Sequence, residues 1–306
     1  MQERDELAGK LAELKKLTGL TFRIEDGGGE FPEDAAEKIG MLTAAWKEKY
    51  DRTNFLRNLL YGKVSEADLY AAASRFHIAE NGRRLLYVVE LKSELAEDAE
   101  RILKQMLVSR PGDQVAVLDE RRMILIKGIS PKEREEELLA TAHTMVDMLN
   151  MEAMISARVG YGSPIDNLRQ LPEAFQNALL ALEIGRIFYS SDPVVRYDKL
   201  GIGRLIHALP ARSCRLFLRE VFGDGSPDDF DEETRGIIEA FFDNNLNISE
   251  TARQLYVHRN TLVYRLEKLH LSTGLDLRNF DDAVVLKLAM MIAGCMRAKE
   301  KEGETL

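Results

Sequence analysis

The sequence predicts an α+β chain, in which a βαββαβ unit lies between a mostly helical N-terminal segment and a C-terminal unit made only of helices. Three observations predict it. Between Arg83 and Tyr197 short apolar runs rich in strand-forming residues alternate with helical patterns. After Asp198 the apolar residues recur at helical spacing only. The chain has 306 residues, 45% hydrophobic and 30% charged, which is enough to build more than one core.

Taken in order, residues 7 to 17 place Leu7, Leu11, Leu14 and Leu17 on one side of a helix, a repeat too short to demand a dimer seam. "EDGGGEFPED" (Glu25 to Asp34) is a glycine-rich turn into a helical stretch that runs to about Leu60. Its glycines sit among Glu25, Asp26, Glu30, Glu33 and Asp34, which repel phosphate, so it reads as a connection and not as a phosphate loop. "LLYVV" (Leu85 to Val89) is the first strand, and Ala99, Ile102, Leu103 and Met106 share one face of the helix after it. "QVAVL" and "MILI" form a hairpin across "DERR" (Asp119 to Arg122). Ser130-Pro131-Lys132-Glu133 reads as a capping box with proline at the first helical position. The helix it opens is expected to bury Leu138, Leu139, Ala142, Met145, Val146 and Leu149. "MISARV" (Met154 to Val159) is the next strand, "LRQLPEAFQNALLALEIGRIF" a helix broken near Pro172, and "PVVRY" a last strand. The first six of these elements have the order of the ferredoxin-like split βαββαβ arrangement, an antiparallel-rich sheet with helices on one face. A joint is expected at "GDGSPDD" (Gly223 to Asp229). The resulting organisation is 1–75 helical segment, 76–200 α/β domain, 201–227 helical connector and 228–306 helical domain.

Composition excludes several classes. No apolar run approaches the roughly 18 residues of a membrane span, and "MQERDELAGK" is charged where a signal peptide is apolar, so a cytoplasmic protein is expected. Cys214 and Cys295 stand far apart in helical, apolar contexts, which predicts reduced, partly buried thiols. The five histidines, His77, His143, His207, His258 and His270, form no metal-ligand pattern, and neither a metal nor a cofactor is expected.

The last quarter carries the functional signal. Helices are expected at Asp231–Asn244, Ser249–Tyr256, Arg259–His270 and Phe280–Ala298, with Ser249 as an N-cap, Ala252 small enough for a close crossing and "YVH" as the turn. With a period of about 3.6 residues, Leu262, Val263, Leu266 and Leu269 share a face of the third helix. Asn260, Tyr264 and Lys268 then lie opposite, Thr261 and Arg265 on a flank, and His258 and Arg259 at the start. This set suits a DNA major groove, since asparagine pairs with adenine, arginine with guanine and lysine with phosphate. The chain has a formal net charge of -9, but charge is segregated: Ser249 to Ser272 holds four basic and two acidic residues, whereas Ser226 to Ile248 holds seven acids and one arginine.

The blocks "VHRNTLVYRLEKL" and "TGLDLRNFDD" within Asn247 to Met290 resemble the C-terminal helix-turn-helix of PucR/CdaR-type bacterial transcription regulators. The resemblance extends more loosely over Asn54 to Tyr197, because such regulators carry a degenerate GGDEF-like domain of βαββαβ type upstream. It implies a sequence-specific regulator that binds a double-stranded DNA operator as a homodimer, controls a catabolic or metabolic operon and answers to a small-molecule effector of unknown class. The implied DNA contacts are Ser249, Thr251, His258, Arg259, Asn260, Thr261, Tyr264, Arg265 and Lys268. Fewer than about 80 residues precede the first core strand, too few for a separate α/β sensor domain, so no effector class carries over.

Two other readings compete. A diguanylate cyclase places its glycine signature in the hairpin that reads "LDERRMILI" here. The glycines are missing, and although Asp119, Glu120 and Glu90 are acids of the kind that holds Mg²⁺, Arg121 and Arg122 beside them predict a solvated tip, so no enzyme is expected. A nucleotide-binding or protein-interaction module without a DNA role leaves the polar set of the third helix without a function, since interfaces centre on apolar anchors.

Overall fold

The computed structural model describes residues 9, 11, 35–50, 52–94, 97–106, 113–223 and 225–301. Leu7, Leu14 and Leu17 of the leucine row and the glycine-rich turn over 25–34 lie outside the described residues. The chain divides into two compact units, 1–180 and 181–306.

In the first unit, helices α1 (Ala35–Tyr50), α2 (Arg52–Leu60) and α3 (Glu66–Arg75) precede the sheet. Helix α2 buries Phe55, Leu56, Leu59 and Leu60, two adjacent pairs one turn apart that make a single apolar stripe. Ser65 caps α3 by accepting from the Asp68 amide at 3.2 Å. Then come β1 (Asn81–Leu91), α4 (Glu97–Met106), β2 (Gln114–Val117), β3 (Arg122–Gly128), α5 (Glu135–Ala153) and β4 (Ala157–Tyr161). The Arg57 guanidinium donates to Val117 O at 3.2 Å, which fastens α2 to β2.

Strands β2, β3, β1 and β4 lie side by side in that order. Each is antiparallel to its neighbour, as the βαββαβ reading requires. β1 is central. Its run from Leu85 to Val89 is buried on both faces, which is why it reads as continuous apolar sequence and not as an alternation. Helices α4 and α5 pack side by side, with Ala99, Ile102 and Leu103 of α4 and Leu138, Ala142, Met145 and Leu149 of α5 buried. Leu139 and Val146 are half-buried.

Some local expectations are corrected. One arm of the expected box forms between Ser130 and Glu133, the Ser130 amide donating to Glu133 Oε2 at 2.6 Å, while the Ser130 hydroxyl takes the Lys132 amide at 3.3 Å. They close a turn, however, and α5 starts only at Glu135, after Arg134. Met154 does not begin the fourth strand. It ends α5 in the left-handed region (φ 54°) with its side chain exposed, and β4 begins at Ala157. The break near Pro172 lies before it, as a 3-10 turn over Leu168–Gln170, and Pro172 is in the first turn of α6 (Leu171–Phe188). A strand of three residues, β5 (Ile165–Asn167), was not foreseen. It pairs with the start of β1 and is too short to show a period.

The second unit holds β6 (Val194–Arg196), α7 (Ile202–His207), α8 (Ala211–Phe222), α9 (Glu232–Asp243), α10 (Ile248–Gln254), α11 (Arg259–Thr273) and α12 (Phe280–Lys301). A Cβ on Gly185 would lie 2.6 Å from Val195 Cγ2, so this position of α6 must be glycine for β6 to come as close as it does. Two cores follow. Ile237, Ile238, Phe241, Ala252, Leu262, Leu266, Leu269, Leu277, Ala283 and Leu286 form the larger. Ile206, Cys214, Ile292, Cys295 and Met296 form the smaller. Helix α12 contributes to both. The two cysteines form no disulfide and lie fully in this core, more buried than expected, and burial raises the Cys214 thiol pKa.

Candidate nucleic-acid interface

Helices α9, α10 and α11 are set by their caps. Asp231 accepts from the Thr234 amide at 2.7 Å and opens α9. Asn247, not Ser249, caps α10: its side-chain oxygen takes the amides of Ser249 at 3.0 Å and Glu250 at 3.2 Å. Asparagine at that place reaches two orphan amides, so the helix starts at Ile248 and Ser249 is left exposed in its first turn. The helix stops at Gln254, short of the expected Tyr256, whose backbone turns left-handed (φ 54°). His258 caps α11, its Nδ1 accepting from the Asn260 amide at 3.3 Å, and the residue is exposed. Helix α11 starts at Arg259 as expected and runs past His270 to Thr273, where Gly274 (φ 77°) ends it.

Packing fixes which face of α11 looks out. Ala252 of α10 is buried with Leu262, Leu266 and Leu269, so α10 and α11 cross closely as a helix-turn-helix requires. Each such leucine contributes about 2 kcal/mol of burial. On the rest of α11 Arg259, Asn260, Thr261 and Lys268 are exposed, Tyr264 is 70% exposed, and Arg265 is half-buried. Thr251 is corrected: it is 0% exposed and its hydroxyl donates to Asn247 O at 2.8 Å, so it stabilises the first turn of α10 from inside and presents nothing to a ligand.

The electrostatics of α11 differ along its length. Arg259 makes no ion pair among the described residues, nor does Lys268. Arg265 Nη1 lies 2.5 Å from Glu233 Oε1 of α9. The Thr234 hydroxyl and amide, and after them Lys268, hold the Asp231 carboxyl below its usual range, which places Lys268 in the field of that cap. Between α9 and α11 lies a cavity of about 780 Å³ bordered by Phe222, Phe230, Glu233, Tyr264, Arg265 and Lys268. The second sequence block is structural. Arg278 donates to Glu267 at 2.8 Å and to Asp276 at 2.7 Å, the Asp276 amide donates to Asp282 at 3.0 Å, and Asn279 accepts from the Asp281 amide at 2.9 Å at the start of α12. Arg278 thereby neutralises Glu267, the one acidic residue of α11.

Sequence reasoning missed two residues. Tyr256 is 97% exposed in the turn before α11, and no periodicity marks a turn residue. Glu233 reaches α11 from another helix, and only the acidic run around it gave a sign.

The acids of the first unit behave differently. Asp119 accepts from the amides of Arg121 at 3.0 Å and Arg122 at 2.9 Å, and from the Arg122 guanidinium at 2.7 Å. Glu90 stands in register with Arg122 on β3 and Arg158 on β4. Among the described residues no group of three or more His, Cys, Asp or Glu is placed to hold a metal, and no helix is long and apolar enough to cross a membrane.

A close α10–α11 crossing with a capped, polar-faced second helix defines a helix-turn-helix domain. Residues 235–292 match the family of the PucR C-terminal helix-turn-helix domain, and residues 61–184 match the GGDEF-like domain. These two domains in series are what the chain shares with the PucR/CdaR type of bacterial transcription regulators. It is 29% identical over 132 residues to the purine catabolism regulatory protein of Bacillus subtilis, 43% of this chain and 25% of that one. It is 22% identical over 250 residues to the carbohydrate diacid regulator of Escherichia coli, 79% of this chain and 65% of that one. It is 26% identical over 140 residues to the proline-responsive transcriptional activator PutR of Bacillus subtilis, 44% of this chain and 34% of that one. The chain thus spans less than two thirds of the length of each of these relatives.

Proposed function

We propose that the chain is a cytoplasmic, sequence-specific DNA-binding transcription regulator, that residues 228–306 read a double-stranded operator, and that it acts as a homodimer. The observation that carries this reading is the start of α11: Arg259, Asn260, Thr261 and Tyr264 are exposed, with Asn260 and Tyr264 opposite the buried leucine row. In a helix-turn-helix the N-terminal part of the second helix meets base edges, which is where these residues stand. His258 precedes these residues as the cap, Ser249 is exposed in the first turn of α10, and Lys268 and Arg265 lie further along α11. The purine, sugar-diacid and proline names of the relatives support control of a catabolic or metabolic operon with a small-molecule effector whose class stays open. Dimerisation follows from one helix-turn-helix per chain, because a single unit reads too few base pairs for useful specificity. The regulators among the relatives and the engagement of Asp119 at the hairpin tip favour this role over an enzyme.

The test is a binding titration on a duplex enriched from a random pool by the wild-type chain and on a scrambled duplex of the same composition. Asn260→Ala is expected to cost about 1–3 kcal/mol on the enriched duplex and little on the scrambled one, whereas Lys268→Ala weakens both alike. Wild-type-like affinity of both variants for the enriched duplex would place the reading surface elsewhere.

A further inference from the structure

We infer that Glu233 is a specificity-determining residue that keeps Arg265 from contributing to DNA binding until α11 is seated in its site. The inference rests on α11 being the DNA-reading helix. The two residues come from different helices, α9 and α11, and their charged ends lie 2.5 Å apart. The arginine side chain is 31% exposed and the glutamate side chain 64%, so the guanidinium is half covered while the carboxylate stands in solvent at the rim of the cavity between the two helices. An arginine held in this way is neutralised and tied to α9.

Nonspecific binding counts cations, because each phosphate neutralised releases a counterion. A drifting phosphate offers Arg265 an anionic acceptor much like the one it already has, so in nonspecific complexes the pair stays closed and one cation is withheld. A guanine in the major groove offers O6 and N7 as a paired acceptor that fits the guanidinium fork, and it does so only when the other contacts of α11 hold the helix in place. Discrimination then comes from an element that weakens wrong complexes as well as one that strengthens the right one. The contrast with Arg259 is on the same helix: it has no ion-pair partner among the described residues and contributes to every complex.

The experiment measures the salt dependence of binding of the full chain to the enriched and the scrambled duplex, for wild type, Glu233→Gln, Arg265→Ala and the double variant. Glu233 is an exposed surface residue, so Glu233→Gln leaves the fold intact. On the scrambled duplex Glu233→Gln is expected to steepen the slope of log K against log salt by about 0.9, the equivalent of one further phosphate, and to tighten binding several-fold. On the enriched duplex the slope stays as in wild type, because Arg265 is already released there. In the Arg265→Ala background the substitution has no effect on slope, which separates the pair from a general loss of negative charge. An unchanged slope on scrambled DNA, an equal change on both duplexes, or a change that persists without Arg265 overturns the inference while leaving α11 as the reading helix. Failure of the wild-type chain to enrich any duplex overturns the DNA reading itself and this inference with it.

Discussion

The hairpin tip of the first unit and the turn that leads into α11 both put arginines beside polar side chains at a sharp reversal of the chain, and they come to opposite ends. At the tip, Asp119 is used three times over, by two amides and one guanidinium only a few residues away. The charges there close the turn that produced them. At the start of α11 the Asn260 amide is taken by a ring nitrogen of His258 and the Thr261 amide by the His258 carbonyl. Arg259, Asn260 and Thr261 are thereby left with no local amide to serve, and they face solvent. Whether a charged turn is structural or is free to bind depends on who satisfies the nearby backbone.

This contrast can be broken by substitution. The largest effect is expected from Leu266→Ala, which removes a fully buried side chain from beneath the reading face: a loss of about 3 kcal/mol in urea denaturation, with DNA affinity falling as the second unit opens. Asp119→Ala is expected to cost about 1–2 kcal/mol of stability in the first unit, since two amides lose their acceptor, and to leave binding to the enriched duplex unchanged. A fall in DNA affinity on that change would break the division between a structural tip and a binding turn. The smallest effect sharpens it. Tyr256 holds a left-handed backbone that glycine adopts without strain, so Tyr256→Gly is expected to raise the unfolding midpoint, by about 0.5–1 kcal/mol in stability. If its exposed ring touches the DNA backbone, the same variant binds more weakly while being more stable, two opposite signs from one change.

Much of this was legible in the sequence. The order of β1 to β4, the hairpin, the start of α11 and its buried leucines follow from periodicities that packing did not override. What was not legible depends on contacts between separate stretches of chain. Asn247 displaced Ser249 as the cap of α10 because either residue suits that role and only the geometry of the preceding turn decides between them. Thr251 looked like a candidate contact by type, and its burial follows from the angle at which α10 enters the core. The ion pair from Glu233 to Arg265 joins two helices, so no spacing rule points to it. β5 has three residues, fewer than one can distinguish from loop.

Helix α12 gives its first half to the core under α11, through Ala283 and Leu286, and its second half to the core under α7 and α8, through Ile292, Cys295 and Met296. Lys299 also donates to His207 O at 2.9 Å, and Arg297 pairs with Asp228. The reading domain therefore has no clean edge at which a protease or a truncation could free it: a nick in the loop between α8 and α9 leaves the two pieces bound along α12. Melting of the connector helices and melting of the helix-turn-helix should accordingly be one cooperative event.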